Sequence, residues 1–145
     1  MPIAMGGAAG ANNVTLHFVV PGKPVGTNSA YRRGTQGKNQ RGFYLSPDAK
    51  AFKERLRAYA VKATHEQGWK KPTPTQECAV SIIVWNAKRF DADSPTKFIL
   101  DSMQGVVYGN DHCVGKVSAA RSFDDGEVRV EILVKLLGTD NPDLP

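Results

Sequence analysis

Cysteine is scarce in this chain: two residues in 145, Cys78 and Cys113, cannot frame a fold with disulfides, and Cys78 lies in an apolar run that reads as a buried strand. A reducing, cytoplasmic setting follows. Long hydrophobic runs are missing as well. No apolar stretch approaches the ~18 residues needed to cross a bilayer, so no membrane partner is expected. The N-terminal MPIAMGGAAGANN lacks the basic flank and compact apolar core of a secretory signal. Histidine is limited to His17, His65 and His112, and no second Cys or His pair stands at zinc spacing. Acidic residues are the minority, 14 against 19 Lys and Arg, for a formal net charge of +5. What is present is ordinary globular material, 41% hydrophobic and 23% charged, which argues against disorder. The length suits one domain able to bury its own core.

The positive charge is concentrated. Eleven Lys and Arg fall between residues 31 and 72 against Asp48, Glu54 and Glu66, so that third of the chain carries +8 and the remainder −3. This is the electrostatic footprint of a protein with a polyanionic partner, most often nucleic acid, although a solvated basic face kept for solubility has the same composition. Part of it lies in YRRGTQGKNQRG, residues 31–42, which has no hydrophobic period and reads as a mobile, cation-loaded loop.

Residues 14–20, VTLHFVV, alternate as a strand with Val14, Leu16, Phe18 and Val20 on the buried face. Ser46, Pro47 and Asp48 then form a helix-start signal, Gly68 supplies the stop, and Phe52, Leu56, Tyr59 and Ala63 mark the apolar stripe between them. ECAVSIIVW, residues 77–85, predicts a central strand. Ser94 and Pro95 repeat the cap-then-proline signal for a helix reaching about Gln104, where Gly105 ends it. A strand over 114–121, a hairpin turn through Asp125 and Gly126, and a last strand presenting Val128, Val130, Ile132, Val134 and Leu136 complete the series. The order β-α-β-α-β-β predicts an α+β fold: a single mixed β-sheet of about four strands with two α-helices. Residues 1–13 read as a flexible arm, 14–137 as the domain and 138–145 as a loose tail.

Against the basic background, RFDADSPTKFILD (residues 89–101) gathers Asp91, Asp93 and Asp101, with Asp111 ten residues on. Asp91 and Asp93 share one side of an extended segment, and Lys97 and Asp101 are four apart on the following helix. Asp111 is expected to return toward the same end of the sheet. Crowded carboxylates repel unless a cation neutralises them. A hard divalent ion such as Mg²⁺, with Mn²⁺ as its substitute, takes oxygen ligands of this kind. In phosphodiester hydrolysis one or two such ions activate water and stabilise the leaving oxygen, and Lys97 could stabilise transition-state charge. The same spacings also occur in surface loops and i,i+4 ion pairs of little energetic weight, so spacing alone leaves both readings open. Asp111, His112 and Cys113 are too close in sequence to wrap one tetrahedral zinc ion.

FDADSPTKFILDSMQGVVYGNDHCVGKV resembles the core motif of the RusA-type Holliday-junction resolvases, with Asp91, Asp93, Lys97, Asp101 and Asp111 in the motif's places. TNSAYRR resembles the family's loop bearing Asn, an aromatic residue and Arg, and YLSPDAKAFKERLRAYA its first helix. Ser94 stands where the family usually has Asn, and Asn110 where it has the first acid of a pair. Phe90 takes the place of an Arg found in some members, with Arg89 one position earlier. The resemblance implies a RusA-like nuclease domain over 14–137: a homodimeric, Mg²⁺-dependent endodeoxyribonuclease, commonly of phage or prophage origin, that cuts four-way DNA junctions in recombination and repair. It assigns Asp91, Asp93 and Asp111 to the metal. Those three and Lys97 become the catalytic set, and Asp101 orients Lys97 or holds a second ion. Arg32, Arg33, Lys38, Arg41 and Arg89 become the DNA-binding residues. A non-catalytic branched-DNA-binding protein and a metal-dependent nuclease for other branched nucleic acids are the alternatives.

Overall fold

The computed structural model describes residues 14–33, 43–88, 90–91 and 94–137. The expected arm over 1–13, the tail over 138–145, most of the cationic loop with Lys38 and Arg41, and both Arg89 and Asp93 lie outside the described residues.

Strands β1 (Thr15–Pro21), β4 (Glu77–Trp85), β5 (Val114–Ser122) and β6 (Arg129–Leu137) form one mixed sheet in the order β1-β6-β4-β5. A two-stranded antiparallel ribbon, β2 (Tyr31–Arg33) and β3 (Phe43–Leu45), stands apart from it. Among the described residues the α-helices are a single turn α1 (Thr27–Ala30), the long α2 (Pro47–Gln67) and α3 (Thr96–Met103). The expected α+β arrangement is therefore present, with the ribbon and α1 as additions.

Alternation decides which face of the sheet is buried. Register sets Leu16 beside Val134 and Val134 beside Val80; the next rows are Phe18, Ile132, Ile82 and Val20, Val130, Val84. All nine side chains are buried and share one core cluster with apolar residues of α2 and α3. Val14, expected in this row, is 40% exposed where the strand begins. Helix α2 starts where Ser46 Oγ accepts the Ala49 N–H (3.2 Å) and ends at Gly68, whose left-handed backbone (φ 67°) suits glycine. Its buried stripe is Ala49, Phe52, Leu56, Ala60 and Ala63, whereas Tyr59 is 40% exposed. Ala60, one position on, completes the i,i+4 row that Tyr59 leaves, because 3.6 residues per turn carries position 59 off the core side.

Two connections differ from the sequence-based expectation. FDDGEV is not a tight hairpin: β5 and β6 both pair with β4, in parallel and antiparallel sense, so the segment after β5 must cross the end of β4. Asn86 holds that crossing. It has positive φ (65°), accepts from Asp124 N–H, and its amide donates to Asp124 Oδ1, Gly126 O and Glu127 O. Ser94 does not cap α3 either. It lies in the preceding turn with Pro95 at the cap position, and the side chain that reaches the first turn is Thr27, whose Oγ1 accepts from Phe98 N–H at 3.3 Å. Thr27 N–H in turn donates to Ser94 O (2.8 Å), so α1 and the start of α3 brace one another.

Candidate active site

Helix α3 presents Lys97 and Asp101 one turn apart, and a 3₁₀ turn over Asp111–Cys113 presents Asp111 just before β5. Lys97 Nζ joins the two acids, 3.1 Å from Asp101 Oδ1 and 3.3 Å from Asp111 Oδ2. Asp101 is held on its other oxygen by Tyr31 Oη, which donates to Oδ2 at 2.5 Å, and Gln104 Nε2 approaches Oδ1 at 3.3 Å. Tyr31 starts β2 and packs edge-on against Phe98 (centroids 5.7 Å apart), so the ribbon is anchored to the helix that bears the cluster.

The electrostatics follow from these contacts. The hydrogen bond to Asp101 raises the Lys97 ammonium above the usual lysine range, with Asp111 adding to it, and Lys97 is charged at neutral pH. Burial and then the Asp101 contact push the Tyr31 phenol well up, so it remains protonated and acts as a donor. The arrangement is a neutral donor, a carboxylate, an ammonium and a second carboxylate in sequence. Burial, first of all, raises the Cys113 thiol, which keeps it protonated at neutral pH.

Asp91 is exposed in the connection after β4, its carbonyl accepting from Ser94 N–H (3.1 Å). The strand register fixes where Asp111 stands relative to β4. Parallel pairing aligns Val114 with Cys78, so Asp111 lies beside the start of β4, while Asp91 stands in the connection that leads from β4 into α3, the helix whose first turn brings Lys97 to Asp111. Among the described residues no group of three His, Cys, Asp or Glu is gathered closely enough to hold a metal ion. The described donors fit a hard divalent cation in part: Asp101 and Asp111 are oxygen donors close enough to share one cation, which here is Lys97.

Residues 21–135 match the family described as Endodeoxyribonuclease RusA, most of the chain and all of the cluster. The chain belongs to the RusA endodeoxyribonuclease family. No individual curated protein matches it. Family membership brings endonucleolytic action on DNA, and no helix among the described residues of this RusA-family chain is long and apolar enough to cross a membrane.

Tyr31 and Thr27 carry roles that no local pattern in the sequence marks. Tyr31 is 70 residues from Asp101 in a segment without periodicity, and the nearest signal is its place in TNSAYRR. Tyr31→Phe keeps the ring on Phe98 and deletes the donor to a carboxylate. It should lower unfolding free energy by about 1–2 kcal/mol, given the partial exposure, and slow cleavage through a less fixed Asp101 while leaving DNA affinity unchanged. Urea unfolding and single-turnover kinetics read the two effects separately; unaltered kinetics would leave the phenol a purely structural part.

Proposed function

We propose that this chain is a structure-selective, Mg²⁺-dependent endodeoxyribonuclease that hydrolyses phosphodiesters at four-way DNA junctions, acting as a homodimer in the cytoplasm of a bacterial or phage-infected cell. The observation that carries the proposal is the single ammonium held between Asp101 and Asp111 within the RusA-family frame. Asp91, Asp93 and Asp111 would hold the divalent ion, which when bound supplies an activated water and charge neutralisation. Lys97, being cationic, would stabilise the extra negative charge that develops on the phosphoryl oxygens, and Asp101 would aim it.

Arg32, Arg33, Lys38, Arg41 and Arg89 would contact phosphates and set orientation without reading sequence. A junction is close to two-fold symmetric, which suits two identical sites on a C2 pair. The outward face of the sheet, bearing Val19, Ile83, Trp85 and Leu133, offers apolar area to such a partner.

The test is incubation with a synthetic four-way junction and a duplex of the same sequence, with Mg²⁺ or EDTA. Cleavage of the junction alone, in Mg²⁺ alone, and lost in Asp91→Asn, is the expected result. Cleavage that survives Asp91→Asn removes the assignment; binding without cleavage in Mg²⁺ or Mn²⁺ identifies a non-catalytic binder, and preference for another branched substrate in competition redirects the specificity.

A further inference from the structure

Outside the acidic cluster, a groove of about 590 Å³ runs between the segment after β1 and the first turns of α2. Lys23, Gly26, Ser29, Asp48, Arg55 and Phe90 are among its walls. Its size falls in the ~300–1,000 Å³ range of small-ligand sites, enough for a nucleotide. Two features make it a built surface. Arg55 is fixed: Nε donates to Pro21 O (2.8 Å), and its guanidinium lies over the Phe52 ring (5.4 Å). Gly22 is required beneath it, since its φ is +99° and a Cβ there would meet Arg55 Nη2 at 2.9 Å. Phe90 is set by its packing against the core and still turns a ring face outward, over which Lys23 Nζ sits 5.9 Å from the centroid.

The groove is contiguous with the acid-bearing connection. Phe90 immediately precedes Asp91, and Gly26 abuts Ser94 so closely that a Cβ on it would stand 2.5 Å from Ser94 Oγ. An aromatic face flanked by two cations, Lys23 and Arg55, is the chemistry that takes an unstacked base on the ring and its phosphate on the charges. Asp48, an acid in the same wall, repels phosphate and accepts from base amino groups, which places the phosphate toward Lys23 and Arg55 and the base edge toward the start of α2.

We infer that this groove is a nucleotide subsite, in which one base at the branch point of the DNA leaves its stack and lies against Phe90 while Lys23 moves from the ring to the adjoining phosphate. The inference rests on the proposed action at branched DNA and adds the place where the branch is gripped.

The experiment uses the full chain in an Asp91→Asn background, in Mg²⁺, with four-way junctions in which an abasic nucleotide is walked through the positions flanking the branch. At one position the abasic substitution should weaken binding by about 5- to 100-fold, the range for loss of one aromatic–base stack. Phe90→Leu, which keeps an apolar side chain against the core, should weaken the intact junction by a similar factor, and the two losses should not add. Lys23→Ala, on an exposed side chain, should reduce the slope of log affinity against log salt by about one. Additive losses, or a Phe90→Leu protein that binds the intact junction normally, overturn the subsite while leaving junction recognition intact. No binding to any junction overturns the proposed function, and the subsite with it.

Discussion

Asp111→Asn should abolish junction cleavage, a fall on the order of 10³-fold or more, because it removes charge from the position proposed to ligate the ion without changing side-chain shape. The fold should lose little, because Lys97 keeps Asp101 as its partner. The 3₁₀ turn bearing Asp111 is capped by its neighbour Asn110, whose Oδ1 accepts His112 N–H at 2.8 Å, and that bond does not involve the Asp111 carboxylate. Affinity for the junction should be unchanged or higher, since one negative charge facing phosphates is gone. Single-turnover cleavage, a gel-shift titration and a thermal melt on one preparation check all three. Retained cleavage would take Asp111 out of the site; a collapsed melt would make it a structural carboxylate.

Lys97→Met should lower the cleavage rate by about 10²- to 10³-fold, the usual loss when one preorganised donor to developing charge is removed. Met retains the length and apolar stem and lacks the ammonium, so Asp101 and Asp111 lose their shared cation. Without divalent ion the variant should also melt below the parent, and Mg²⁺ should recover more of the difference for the variant than for the parent, because the ion then replaces the missing charge.

The pH dependence has a definite sign. The folded-state Lys97 pKa is raised, so the contribution of this pairing is fully present below the ordinary lysine pKa and fades only as pH rises through the folded value. Between pH 6 and 9 the parent-minus-variant difference in stability should therefore be flat with respect to this group. A rate loss below about threefold for Lys97→Met would leave the lysine as a charge-balancing residue alone.

Much of the site and the fold was legible because it is written in short-range pattern. The strand period over 77–85 and 128–136, the Ser46 cap and the Gly68 stop, and the Lys97–Asp101 spacing all depend on residues within one element, where backbone geometry alone sets which side chains share a face. Tyr59 is the instructive miss within an element, since Ala60 satisfies the same three- and four-residue spacing and only packing against the sheet chose between them.

What the chain decided alone was the identity and spacing of the acids and the lysine, the basic segment, and the alternating strands. Each is a local property, set by stereochemistry and charge along the backbone. Only the tertiary structure decided that β5 pairs in parallel with β4 and so carries Asp111 to the start of that strand, that Tyr31 fixes Asp101 from 70 residues away, that Thr27 and not Ser94 reaches the first turn of α3, and that Phe90 and Lys23 share a groove. Those outcomes depend on which strands become neighbours, a choice made by burying the whole core at once, and no single window of sequence contains it.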